Sequence, residues 1–262
     1  MSIFYLISSL YLISSILYGI YLWSQNNKIS KLGFYIGLTA IILHTFKLAN
    51  IFFTSDVVET GVIRTLFIFA WLIGIVYLIS QIKFKAVILG AFILPIIFIC
   101  TLPSLIIPPG IIDNDPTIKN PWILIHIILI FLGEAFFVVS FISGLIYIFE
   151  ENQIKSKKIS GYLNKFPSLI KLDRINHFSL LLGFPFLTIG LAIGFILAKE
   201  ILAENWIWGA KETLSTVTWL LYALLINGRL NSGWKGKKSA MFAVFGFVII
   251  LITFLVGYIL PG

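Results

Sequence analysis

The sequence is short of nearly everything that a soluble surface needs. Charged residues are only 11% of its 262 positions, against 59% hydrophobic. That balance excludes an ordinary water-soluble globular domain and reads as an integral membrane protein. There is one cysteine, Cys100. An intrachain disulfide, a dithiol pair and a C-x-x-C-H haem attachment are therefore all excluded. Histidine is scarce too, with three in the chain, and no H-x-x-x-H or H-E-x-x-H spacing occurs, so no single helix offers a local zinc site. The alternation expected of membrane β-strands is missing, which leaves helices as the way to satisfy the backbone in lipid. The first apolar run has neither a basic leader nor an A-x-A cleavage site, and reads as a retained helix. No internal repeat stands out, which weakens an inverted-repeat transporter reading.

What is present is long apolar runs. Eight are near the roughly 20 residues needed to span a bilayer: 3–24, 32–54, 61–81, 84–102, 121–149, 176–199, 212–230 and 238–260. The expected fold is an all-α polytopic membrane protein of about eight transmembrane helices, forming one domain over 1–262. Its basic residues are distributed unevenly. Lys28, Lys31, Lys83, Lys85, Lys155, Lys157, Lys158, Lys165, Lys171, Arg174, Arg229, Lys235, Lys237 and Lys238 follow the odd-numbered helices. Only Arg64, Lys119, Lys199 and Lys211 fall on the other side. The positive-inside rule then puts both termini outside a cell (inner, cytoplasmic) membrane. The net charge of +8 reads as topology and attraction to anionic lipid, with no nucleic-acid partner. The segment 103–120 is proline-rich and too broken for a continuous helix. Pro185 should kink the sixth span, and Gly190 and Gly194 form a G-x-x-x-G suited to close helix packing.

Ionisable residues inside spans are costly and carry a functional expectation. They are His44 and Lys47 in the second span, His126 and Glu134 in the fifth, and His177 opening the sixth. Imidazole is a common metal ligand and the usual axial ligand of haem iron. A histidine bonded to a neighbouring helix is the plain alternative for each taken singly. At 1.5 Å per residue, His44 lies about 15 Å and His126 about 8 Å below the external edge, while His177 sits at the opposite mouth. His126 and His177 are thus too far apart to share one iron, and an outer and an inner site are expected.

The last external loop, "ENWIWGAKETLSTVTW", concentrates tryptophan. Trp206, Trp208 and Trp219 would suit an interfacial belt, with Glu212 at the positive end of a helix. Their order carries more. "NWIWGAKETLSTVTWLLYALLINGRL" resembles the tryptophan-rich signature of the cytochrome c assembly proteins of the CcsA, CcmC and HemX type, approximately YWxWDPKETWxxxxWLxYAxYLHxR. Trp206, Trp208, Lys211, Glu212, Thr213, Trp219, Tyr222 and Arg229 match it. "RINHFSLLLGFPFLTIGLAIG" resembles the family's NHxxxxxGFPLLTxGxxxG and puts His177 on a family histidine. "PWILIHIILIFLGEAFF" does the same for His126, "GWKGKKSA" resembles the start of the last helix, and "LHTFKLAN" is a looser match at His44.

The resemblance implies a protein that receives haem within the bilayer near His177 and presents it outside, where His126 and the tryptophan loop hold it. The haem would be b-type and transiently bound. Metal ligation would fall to His126, His177 and His44. Trp206, Trp208 and Trp219 would give stacking area, while Lys211 and Arg229 meet propionates. Partners implied are apocytochrome c and a second assembly membrane protein, so that the chain is at most one component of a haem-lyase (cytochrome c synthetase) system. Two positions depart from the pattern. Gly209 and Ala210 replace its Asp-Pro, and Asn227 replaces a histidine taken as the second of the outer pair; either the outer iron has one protein ligand, or His44 substitutes, or the outer site no longer handles haem in the usual way. The alternatives are a non-catalytic, HemX-type regulator of tetrapyrrole synthesis and a transporter of another amphipathic ligand.

Overall fold

A computed structural model of the protein describes residues 2–54, 61–106, 121–156, 166–202 and 208–259. Among these, every regular element is a helix: α1 (Ser2–Ser24), α2 (Asn27–Thr54), α3 (Gly61–Phe84), α4 (Leu89–Thr101), α5 (Pro103–Ile106), α6 (Pro121–Lys155), α7 (Leu169–Leu202), α8 (Ala210–Asn231) and α9 (Lys237–Ile259). Six of the described helices are long and apolar enough to cross a membrane. The chain is an all-α, multi-pass membrane protein. The expected span 84–102 is shorter than it looked. Helix α3 runs on to Phe84, Lys85 takes a φ of 50, and α4 begins only at Leu89, so α4 has 13 residues, about 20 Å, less than a bilayer core. Conversely, α6 and α7 outrun their apolar stretches. Lys155 pairs with Glu151 at 3.0 Å at the end of α6, and the early turns of α7 carry partnered polar residues. Partnered polar side chains prolong a helix beyond the point where hydropathy stops. Helix α7 runs unbroken through Pro185.

The chain divides into two compact units, Met1–Asp115 and Pro116–Gly262. In the first, α1 packs on α2 and α4, and α3 packs on α4. The α1–α2 turn is set by Gln25 at φ 55 and by the Asn26 carboxamide, which accepts the Lys28 N–H at 2.9 Å. Ser14 donates to the Gly33 carbonyl at 2.6 Å, and the Tyr18 and Tyr77 hydroxyls meet at 2.9 Å, so small and polar side chains join these helices from within.

In the second unit, α6 and α7 form the most extensive pairing, and α9 packs on α6 and α8. Their seam has a four-three-four spacing on both sides: His126, Ile130, Gly133 and Phe137 on α6, with Gly183, Leu187, Gly190 and Gly194 on α7. A Cβ on Gly183 would stand 2.7 Å from the Phe137 ring and 2.9 Å from the Gly133 carbonyl oxygen. Close approach of the two backbones therefore requires the glycines.

Candidate functional site

Two groupings of polar and aromatic side chains mark the two ends of the second unit. At one end, His126 fits against the glycines of α7. A Cβ on Gly194 would overlap the imidazole, so the G-x-x-x-G motif is a seat for this histidine as well as a packing device. Its Nδ1 lies 2.7 Å from the Gly190 carbonyl oxygen. A carbonyl can only accept, so Nδ1 donates. The proton is then fixed on Nδ1 and the lone pair on Nε2, which is how a second partner prepares a histidine for metal ligation. The next residue along α7, Phe195, stacks on Trp208 at 5.6 Å and 9° between planes. Trp208 is 51% exposed. Trp122, one helical turn before His126 on α6, is 57% exposed.

Local chemistry sets the Trp208 corner. Its indole N–H donates to the Thr213 hydroxyl at 2.8 Å, and that hydroxyl donates to the Gly209 carbonyl at 2.9 Å. Gly209 is the N-cap of α8, and its N–H donates to Glu212 at 2.9 Å. The aspartate of the family pattern would stand at this cap. Exchanging it for glycine costs a capping bond, worth only a few tenths of a kcal/mol, and so has a structural account. Trp206 lies outside the described residues, as does the side chain of Lys211 in the first turn of α8.

The other end is built on Arg229, whose side chain is 4% exposed. Its Nε donates to His177 Nδ1 at 3.0 Å. One terminal nitrogen donates to Asn176 Oδ1 at 3.1 Å and to the Ser239 hydroxyl, and the other to the Asp173 carboxylate at 3.1 Å and carbonyl at 3.3 Å. Asp173 also accepts the Gly236 N–H at 2.9 Å. Asn176 in turn donates to the Ser140 hydroxyl at 3.0 Å and carbonyl at 3.1 Å on α6. The "GWKG" turn closes this end. Gly233 and Gly236 adopt φ of 64 and 63, which a glycine takes without strain. Trp234 folds back over Gly228, with Lys238 Nζ 3.6 Å from its ring centroid. Beside the network lies a cavity of about 600 Å³ lined by His177, Arg174, Lys235 and Tyr147 among others.

Several expectations change with this geometry. Arg229 cannot meet propionates beside Trp208, because 19 residues of α8, about 28 Å, separate it from Ala210. Asn227 is likewise at the Arg229 end, exposed and bonded to Asn231, so it is not a vacant half of the His126 site. Trp219 is midway along α8, where its N–H donates to Thr188 at 2.9 Å and its ring stacks on Phe184 at 5.8 Å, holding α8 to α7. His177 is more than two turns inside α7 and does not open it. Its role as an iron ligand also meets an obstacle. A guanidinium can only donate, so His177 Nδ1 accepts and the ring proton is on Nε2.

His44 belongs to the first unit. It is fully buried, with Tyr11 Oη 3.2 Å from Nδ1 and the Phe67 ring centred 3.9 Å away. Its Nε2 is buried without a hydrogen-bond partner. Lys47, one turn on, places Nζ 4.8 Å over the Phe4 ring. Among the described residues, no three metal-ligating side chains cluster.

Residues that the sequence reading passed over include Trp122, Phe195, Asp173, Asn176 and Ser239. Asp173 could have been found, since it stands four residues before His177 and shares its helical face. Ser239 lies within the "GWKGKKSA" stretch already singled out. Phe195 has no signal in an apolar run.

The family model described as cytochrome C assembly protein matches residues 59–262. The cytochrome c biogenesis protein CcsA of Heterosigma akashiwo is 25% identical over 272 residues, covering 88% of this chain and 83% of that protein. The same-named protein of Prochlorococcus marinus is 27% identical over 241 residues, covering 83% and 76%. That of Chlamydomonas reinhardtii is 30% identical over 142 residues, covering 53% and 38%. These relatives do not favour the HemX-type regulatory reading. No solved structure matches the chain. The matched stretch begins just before α3 and takes in both ends of the second unit, the seated histidine with its tryptophan corner and the arginine network alike; the chain belongs to the cytochrome c assembly protein family.

Proposed function

We propose that this membrane protein handles haem in cytochrome c biogenesis. Haem enters within the bilayer at the Arg229 end, on the cytoplasmic side, and is presented outside between His126 and the tryptophan corner. The observation that carries the reading is the bond from His126 Nδ1 to the Gly190 carbonyl, with Trp208 stacked on Phe195, the residue after the glycine that seats the imidazole. Nε2 has the lone pair that iron requires, and a flat apolar ring has an aromatic surface to stack on. Lys211, in the first turn of α8, and Lys199, exposed in the last turn of α7, supply positive charge for propionates.

The haem is b-type and transiently held. A second assembly membrane protein and apocytochrome c complete the system, because the chain has no thiol pair of its own. The membrane is the cell (inner) membrane with both termini external, as the distribution of lysine and arginine favours. The whole chain acts as one assembly domain.

The test is the visible spectrum of the detergent-purified protein in both oxidation states. Copurified haem that falls sharply in His126→Ala, with insertion unchanged, is the expected result. No haem in either state in the native protein would overturn the reading.

A further inference from the structure

The Arg229 end has a property that its place in haem transfer does not require. All five N–H groups of Arg229 have acceptors: His177 Nδ1, Asn176 Oδ1, the Ser239 hydroxyl, and the Asp173 carboxylate and carbonyl. A guanidinium has five donors, so nothing is left for a ligand. Its charge is also balanced by Asp173 at 3.1 Å. Arg229 is thus a positioning residue. What it positions is His177, held neutral with its proton on Nε2, because a second proton on Nδ1 would face the guanidinium N–H.

The cavity beside it is about 600 Å³, within the usual range of ligand sites. With Asp173 and Arg229 paired, the charged side chains left on its lining among the described residues are Arg174 and Lys235, both positive. A cavity with two cations and an imidazole N–H selects an anion. Its apolar lining, Leu169 and Ile170 among others, selects one with an apolar body.

We infer that the cavity at the Arg229 end recognises a porphyrin by its carboxylates, through the His177 Nε2–H with Arg174 and Lys235, and that His177 makes no bond to iron. This rests on the haem-handling reading and deepens it. It divides the work between the ends: iron is bound at His126, and carboxylates are read at His177. A porphyrin without iron should satisfy the second site as well as haem does.

The experiment uses the full chain in detergent, in a His126→Ala background, with metal-free protoporphyrin IX and its dimethyl ester as fluorescent probes. The free acid should bind. Its Kd should rise about tenfold or more in His177→Ala, as for a lost hydrogen bond to a charged group. It should stay within about threefold of the parent in His177→Gln, which keeps an N–H donor, and should rise again in Arg174→Gln with Lys235→Gln. Binding of the ester should not respond to any of these changes. In an otherwise native chain, His177→Gln should leave the haem spectrum unaltered.

A spectrum in His177→Gln that reports a lost axial ligand would overturn the inference while leaving haem handling intact. So would free-acid binding that ignores both His177 and esterification. Displacement of the free acid by phosphatidylglycerol in nanodiscs, but not by phosphatidylcholine, would reassign the site to a lipid phosphate and overturn it too. Failure of the native protein to bind any porphyrin, with or without iron, would defeat the haem reading itself.

Discussion

The two ends of the second unit hold a histidine by the same atom in opposite senses. At His126, Nδ1 donates to the Gly190 carbonyl at 2.7 Å; at His177, Nδ1 accepts from Arg229 at 3.0 Å. One ring is left with a lone pair on Nε2 and the other with a proton. A residue type that sequence reading treats as a single class, the intramembrane histidine, is thereby divided into an electron-pair donor and a hydrogen-bond donor. The difference comes from the partner. A backbone carbonyl can only accept and a guanidinium can only donate, so each partner sets the tautomer of its histidine.

The change that breaks the comparison most completely is Arg229→Ala. It removes the partner of Asp173, Asn176 and Ser239 together. Breaking a buried ion pair from one side costs about 3–5 kcal/mol, and thermal unfolding in detergent should show a loss of that order or a failure to accumulate. Arg229→Lys should keep the charge but not the five-pronged geometry. Nitrogen-15 NMR of His177 should then show a mixture of tautomers in place of one.

Next in size is His126→Ala. Losing only an outer partner of a metal-bound histidine costs about 10–100-fold in metal affinity, so losing the ligand itself should reduce retained haem by at least as much. Porphyrin binding at the Arg229 end should not follow.

Gly194→Ala sharpens the point, because it leaves the imidazole in place chemically and removes its seat. The new Cβ overlaps the ring. Overpacking of this kind costs about 1–3 kcal/mol, and the haem spectrum should change with it although no ligand has been altered. An unchanged spectrum would mean that His126 is not held by α7 as described.

The smallest effects are expected at Trp219 and Asn227. Trp219→Phe removes an interhelical bond to Thr188, worth about 0.6 kcal/mol on average within a bilayer, and should leave haem retention intact. Asn227→His should do nothing to the His126 end. The side chain lies near the far end of α8 and is exposed. A gain of low-spin, six-coordinate iron in Asn227→His would show that the two ends are not separate.

Much of this architecture was legible in advance, and for identifiable reasons. Apolar runs such as 238–260 announce spans because lipid tolerates nothing else. They misjudged α4, where the turn after Phe84 takes up the first residues of the run, and the ends of α6 and α7. There, Glu151 with Lys155 and Asp173 with Arg229 continue the helix on partnered charge, which hydropathy scores as an ending. The candidate site was legible as residue types but not as groupings. Trp206, Trp208, Trp219 and Arg229 sit in one motif and read as one site. Helix α8 rises 1.5 Å per residue, so Arg229 falls at the end of α8 far from Trp208. Gly190 and Gly194 read as packing alone, since nothing local to α7 indicates that the side chain they admit is a histidine.

The sequence by itself determined the class of protein, the helices, the uneven charge and the family pattern. Each follows from composition and short-range order, which survive without knowledge of any partner. Only the tertiary structure decided what each histidine can do. That depends on which atom of another helix faces Nδ1: Gly190 lies 64 residues from His126, and Arg229 lies 52 from His177. A proton goes where an acceptor from elsewhere in the chain requires it, and no spacing within one helix records that.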